Sequence, residues 1–228
     1  ADCSGVTGAI ASNVAVPNGV VMISPSATSP GLTTLDDKGF FFRTAPSDAR
    51  GGQILADITK DRKIKSVAIT YTNNDYGKGL ADVYKASVEA HGIEVTTMSA
   101  HEDGKADYSS EVATLASAGG DAIAVIGYLD QGGKGIIQGA LDSGSFDTFI
   151  LSDGMIGDSL TDAFGEDLNK SFGSLPGSMN KKTAGTFTTV AKAAGIDSSG
   201  PYTGESYDAA ALIVLAMQAG GSADRASI

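Results

Sequence analysis

Between residues 65 and 152 the apolar positions follow two alternating rhythms. Short apolar runs at 65–72 (KSVAITYT), 93–98, 121–127 (DAIAVIG) and 148–152 predict strands. Between them, residues 77–91 carry Leu80, Val83, Tyr84, Ser87 and Val88 at helical spacing and stop at Gly92, a natural helix terminator. Residues 108–118 read as a helix ending at Gly119 and Gly120, and 131–143 as another. Strands separated by helices of this length predict βαβ units, a parallel sheet and right-handed crossovers, so this segment reads as a doubly wound α/β lobe.

The flanks follow a different pattern. Residues 4–16 predict a helix that leads into an apolar strand at 20–23. That strand ends in a loop of hydroxyl residues, Ser24, Ser26, Thr28 and Ser29, spaced by Pro25 and Pro30, before a second apolar run at 40–42. Open α/β sheets bind ligands at the carboxyl ends of their strands, so this loop points to binding of a small polar ligand. At the far end, 181–194 and 207–219 predict two helices separated by the loop 195–205, with no strand closing them. A lobe built only from these flanks has a poorly covered sheet, which predicts that further residues or a partner cover it.

The 228 residues are 42% apolar and can form one large or two modest domains. The 27 acidic residues against 16 basic ones leave a net charge of −11, which argues against nucleic acid and anionic membrane surfaces as partners, since both are bound through Lys and Arg. No apolar run approaches the roughly 18 residues of a membrane span, so no membrane insertion is expected. Cys3 is the one cysteine. It is either a small hydrophobe or, in an exported chain, half of a pair whose other half lies elsewhere.

Candidate chemistry is sparse. Gly157, Asp158, Ser159 and Leu160 spell a short esterase signature, but a serine nucleophile of that kind needs a histidine base after it, and His91 and His101 both precede it. A helix start capped by Asp158 or Ser159 accounts for the motif. One Cys and two His make no metal site. Gly132, Gly133 and Gly135 around Lys134 lack the spacing and hydroxyl of a phosphate loop, leaving a strand-to-helix turn. Neither catalytic residues nor a cofactor are expected.

Other positions sit at the ends of expected strands. Ser4 opens a helix whose free N–H groups, from about Gly5 to Thr7, can hold a carboxylate; the plain alternative is an N-cap. Thr28 follows the first strand, with a turn hydroxyl bonding its own backbone as the alternative. Tyr76 precedes a helix and Asp153 follows the 148–152 strand; ordinary readings are a packing aromatic and a loop acid. Each bland reading wins singly, but together they offer a carboxylate site, hydroxyls, an aromatic wall and an acid, which suit a zwitterion.

Cys3-Ser4, the run Ile23 through Pro30 (ISPSATSP), Phe42-Arg43-Thr44 with Asp48, Asn74-Asp75-Tyr76-Gly77, and Ser199-Gly200-Pro201-Tyr202 occur in an order that resembles the periplasmic substrate-binding proteins of leucine/isoleucine/valine type serving ABC transporters. The resemblance covers nearly the whole chain. It implies a type I periplasmic binding fold: two doubly wound parallel-sheet lobes joined by hinge crossings, with ligand taken in the cleft and enclosed on closure. It implies lobe one at about 1–47 and 177–228 and lobe two at 48–176, with lobe one incomplete, the chain truncated at both ends, and Cys3 paired to a cysteine in the absent part. Ser4 and Thr28 would hold a ligand carboxylate, while the Ala27 carbonyl, the Thr28 hydroxyl and Asp153 take the ammonium. Tyr76 would close the pocket and Tyr202 lie near the ligand side chain. Asp153 stands where some relatives carry Glu, keeping the charge with a shorter reach. The implied function is non-enzymatic capture of a small amino acid or related zwitterion in the periplasm for an ABC permease. The alternative is a ligand-sensing domain of a receptor or regulator with the same fold.

Overall fold

The computed structural model describes residues 2–177, 181–225 and 227–228. Two compact units divide the chain, Ala1–Ser47 with Pro176–Ile228, and Asp48–Leu175.

The first unit opens with helix α1, Ser4–Ile10, which continues through a π-helical stretch, Ala11–Ala15, and a 3-10 turn, Val16–Asn18. Pro17 and Gly19, the latter at φ 59°, stop the run. Strand β1, Met22–Ser24, pairs in parallel with β2, Phe41–Arg43, each one or two residues later than the apolar runs predict. Ala27, Leu32 and Phe41 form the small core beside them.

The second unit contains the expected sheet. Helix α2, Asp48–Asp61, precedes β3, Ser66–Thr72; α3, Asp75–Ala90; β4, Glu94–His101; α4, Ser109–Ala118; β5, Ala122–Ile126; α5, Gly133–Asp142; β6, Phe149–Leu151; α6, Asp158–Phe164; and β7, Phe172–Gly173. All strand pairs are parallel, in the order β4-β3-β5-β6-β7. Alternation along the strands sorts side chains to two faces. Val67, Ile69, Ala122, Ala124 and Ile126 join Leu55, Tyr76, Leu80, Tyr84 and Val88 of α2 and α3 in one core. Ala68, Ile123 and Val125 join Leu115, Ile136, Ile137 and Phe164 of α4, α5 and α6 in the other. Both faces are covered, as a parallel sheet requires.

The chain returns to the first unit with α7, Lys181–Ala193, and α8, Thr203–Gly220. Helix α8 starts four residues before the apolar spacing announces it, so the loop ends at Tyr202. Among the described helices none is long and apolar enough to cross a membrane.

Candidate functional site

In the second unit the carboxyl ends of β3, β5 and β6 converge on Tyr76. Asn74 caps α3, its side chain accepting from the amides of Tyr76 and Gly77 at 3.0 Å each, so Tyr76 stands inside the helix's first turn. The expectation that it precedes the helix is corrected: capping moves the start two residues upstream of the first glycine. The buried Tyr76 hydroxyl donates to Asp153 Oδ1 at 2.6 Å, lies 3.0 Å from Ser152 Oγ and accepts from the Gly154 amide at 3.2 Å. Ser152 Oγ also accepts from the Gly127 amide at 3.2 Å, linking the ends of β5 and β6. Gly154 is required for this closeness, since a Cβ there would lie 2.4 Å from the Gly127 carbonyl.

Burial, then the negative charge of Asp153 and its hydrogen bond, hold the Tyr76 phenol well above its ordinary pKa. It remains a neutral donor to Asp153 Oδ1. The Tyr128 ring stacks on Tyr76 with centroids 5.2 Å apart. Sequence reasoning missed Tyr128; the available signal was its position just past the apolar run DAIAVIG, equivalent to that of the other end-of-strand candidates. An acid, a protonated phenol, a hydroxyl and two stacked rings make a patch suited to a cationic group.

In the first unit the irregular segment after β1 is buried. Ala27 N donates to Ser24 Oγ at 3.1 Å, and Ser29 N donates to Ser4 Oγ at the same distance. The Ala27 carbonyl accepts from Arg43 Nη1 at 3.1 Å. Between them the Thr28 hydroxyl is buried without a hydrogen-bond partner, so the expected alternative of a turn hydroxyl bonding its own backbone does not hold. An unsatisfied buried hydroxyl costs about 1–3 kcal/mol, which a bound oxygen offsets.

Ser4 is the first helical residue rather than the N-cap. Cys3 occupies that place, without a side-chain cap, and Thr7 N donates to the Cys3 carbonyl at 2.9 Å. The Thr7 amide is therefore not free, which corrects the expected run of open N–H groups: starting one residue earlier brings Thr7 into the helical ladder. Tyr202 stands at the entry to α8, half-buried and left-handed (φ 62°), its carbonyl accepting from Ser206 N at 2.9 Å within the first turn. Thr44 Oγ1 donates to the Glu205 carbonyl at 2.8 Å, fastening that turn to the end of β2.

The esterase motif finds Gly157 in the N-cap place of α6, with no side-chain cap from Asp158 or Ser159, so that expected cap is corrected as well. The backbone at Gly157 is extended and the helix starts at Asp158, which places both side chains past the cap. His91 Nε2 lies 2.8 Å from Asp57 Oδ1, and His101 Nδ1 lies 2.8 Å from Thr70 Oγ1. No grouping of three or more His, Cys, Asp or Glu suited to a metal occurs among the described residues.

Residues 2–228 match a family model described as periplasmic binding protein. A Leu/Ile/Val-binding protein homolog 3 of Brucella melitensis is 37% identical over 136 residues, covering 56% of this chain and 37% of that protein. The leucine-, isoleucine-, valine-, threonine- and alanine-binding protein of Pseudomonas aeruginosa is 28% identical, over 94% of this chain and 57% of its own length. The crystal structure of a leucine-binding protein, LivK, from Thermotoga maritima superposes with TM-score 0.83 at 22% identity, covering 100% of this chain and 65% of that one. The chain thus spans about half the length of the curated relatives it matches. The likeness to the crystal structure establishes the α/β fold with parallel sheets.

Proposed function

The chain belongs to the periplasmic binding protein family, and on that premise we propose that it is a receptor for a small amino acid or related zwitterion, working outside the cytoplasm and passing its ligand to an ABC permease. The observation that carries this reading is the buried pair of Tyr76 and Asp153 at the carboxyl ends of the second unit's strands. Its carboxylate has a neutral phenol at 2.6 Å and stacked aromatic rings beside it, an arrangement fitted to an α-ammonium group. Thr28 and Ser4 take the ligand carboxylate in this proposal, since a buried hydroxyl without a partner gains most from a charged acceptor. The Ala27 carbonyl offers the ammonium only the lone pair that Arg43 leaves, so Asp153 is the ligand's principal anionic contact. Tyr202, at the start of α8, borders the ligand side chain in this proposal. The relatives' names point to small aliphatic side chains and to threonine.

Calorimetric titration of the full-length protein with L-leucine, L-isoleucine, L-valine, L-threonine and L-alanine tests the reading. Saturable binding of at least one is expected, weakened by Asp153→Asn by about 2–5 kcal/mol, the range for truncating one member of a buried charge pair. No binding by any of the five, or unchanged affinity in the variant, sinks it.

A further inference from the structure

We propose that Arg43 is a positioning residue for ligand capture: its guanidinium holds the two carbonyls on either side of Thr28 and thereby sets the Thr28 hydroxyl. This rests on the reading of the segment after β1 as the carboxylate grip.

The segment poses a specific physical problem. Ala27, Thr28 and Ser29 are 0%, 1% and 4% exposed, yet none lies in a helix or strand. Buried backbone groups outside regular structure need side-chain partners. The amides of Ala27 and Ser29 find them in Ser24 Oγ and Ser4 Oγ. Their carbonyls share one: Arg43 Nη1 donates to Ala27 O at 3.1 Å and to Ser29 O at 2.9 Å, while Nη2 donates to Thr33 Oγ1 at 2.5 Å. Three side chains from α1, β1 and β2 therefore fix both peptide neighbours of Thr28, leaving its own hydroxyl without a partner.

Arg43 suits this task for reasons of shape. A guanidinium is planar, always charged, and presents its donors in a fixed fork, so carbonyls bonded to one nitrogen and a hydroxyl bonded to the next are held at set angles. A lysine ammonium reaches the same carbonyls as a hydrated point charge without that fork. The strand supplies the rest: β2 pairs Arg43 with Ser24, so the side chain rises beside the segment that it holds.

The test is a double-mutant cycle of Arg43→Gln and Thr28→Val, read by calorimetry with L-leucine and by thermal unfolding of each variant. Arg43→Gln is expected to weaken L-leucine at least tenfold. Arg43→Lys should recover part of that loss, and the double variant should bind no more weakly than Thr28→Val alone, because a misplaced hydroxyl and an absent one are equivalent. If Arg43→Gln does not fold, the cycle is read on Arg43→Lys, with an expected loss of threefold or more. A purely structural staple would lower the unfolding temperature while leaving affinity within twofold, or would give losses that multiply in the double variant; either result overturns the proposal. Absence of L-leucine binding in the unaltered protein, with another of the five amino acids bound, moves the cycle to that amino acid. Binding of none of the five overturns the reading of the grip and this inference with it.

Discussion

Single residues set the pH behaviour. His101 is 1% exposed, with Nδ1 2.8 Å from Thr70 Oγ1, its ring edge-on to Tyr108, and a buried Nε2 that has no hydrogen-bond partner. Gly127 packs against that nitrogen, a Cβ there lying 3.0 Å from Nε2. Burial holds the imidazole pKa below its ordinary value, and the negative charges of Asp103, Glu111 and Glu102 only partly oppose this. An unfolded histidine titrates near about 6.5. Between that value and the lower folded one the unfolded chain binds more protons, so the stabilisation is full above about pH 6.5 and is lost as pH falls through the folded value. Unfolding midpoints in urea should therefore drop between pH 7 and 5, and the drop should shrink in His101→Gln; parallel slopes in both proteins would count against it. The sequence showed His101 only as a failed general base. Its burial follows from where β4 ends, three residues beyond the predicted strand, and no periodicity announced that. Tyr76 and Asp153 were legible one at a time, but a bond between residues 77 positions apart is set by sheet order.

Among the elements, α3 carries the most consequence for the site. Its start depends on Asn74, whose extended backbone (φ −149°, ψ 177°) and side chain satisfy two amides of the first turn. Asn74→Ala should cost about 1 kcal/mol, the usual loss for such a cap. Gly77→Ala should cost more, because a Cβ there would lie 2.2 Å from the Thr72 carbonyl oxygen, and backbone cannot give way as a flexible side chain can. Denaturant titration of both variants orders the effects; an alanine at 77 less harmful than one at 74 would contradict this packing. The sequence reading began the helix at Gly77 because apolar spacing starts at Leu80, and caps lie outside that spacing. Helix α2 was missed for a related reason. Its buried positions include Asp48, Gly52 and Thr59, which carry no apolar signal, and it packs on α3 through Gly52 and through Thr59 Oγ1, 3.0 Å from the Tyr84 hydroxyl. Strand β7 is two residues long and left no pattern to read.

For the whole molecule, the contrast between the units decides how it unfolds. The second unit is one continuous stretch whose sheet is buried on both faces by two large cores. The first has a two-stranded sheet, a core of Ala27, Leu32 and Phe41, and α8, on which Leu212, Val214 and Leu215 stay 50%, 60% and 59% exposed. A helix apolar on all sides is stable only when surrounded, and two strands seldom stand alone. Burial of apolar side chains is the main favourable term in folding, so the second unit holds most of the stability. Calorimetric unfolding should accordingly show two transitions. The upper should coincide with the single transition of residues 48–175 prepared alone, which should retain helical circular dichroism and fold cooperatively. The lower should rise when Val214→Lys and Leu215→Glu relieve the exposed apolar face. One shared transition, or an unfolded 48–175 fragment, would mean that the first unit contributes to the second a stability that its small core does not account for.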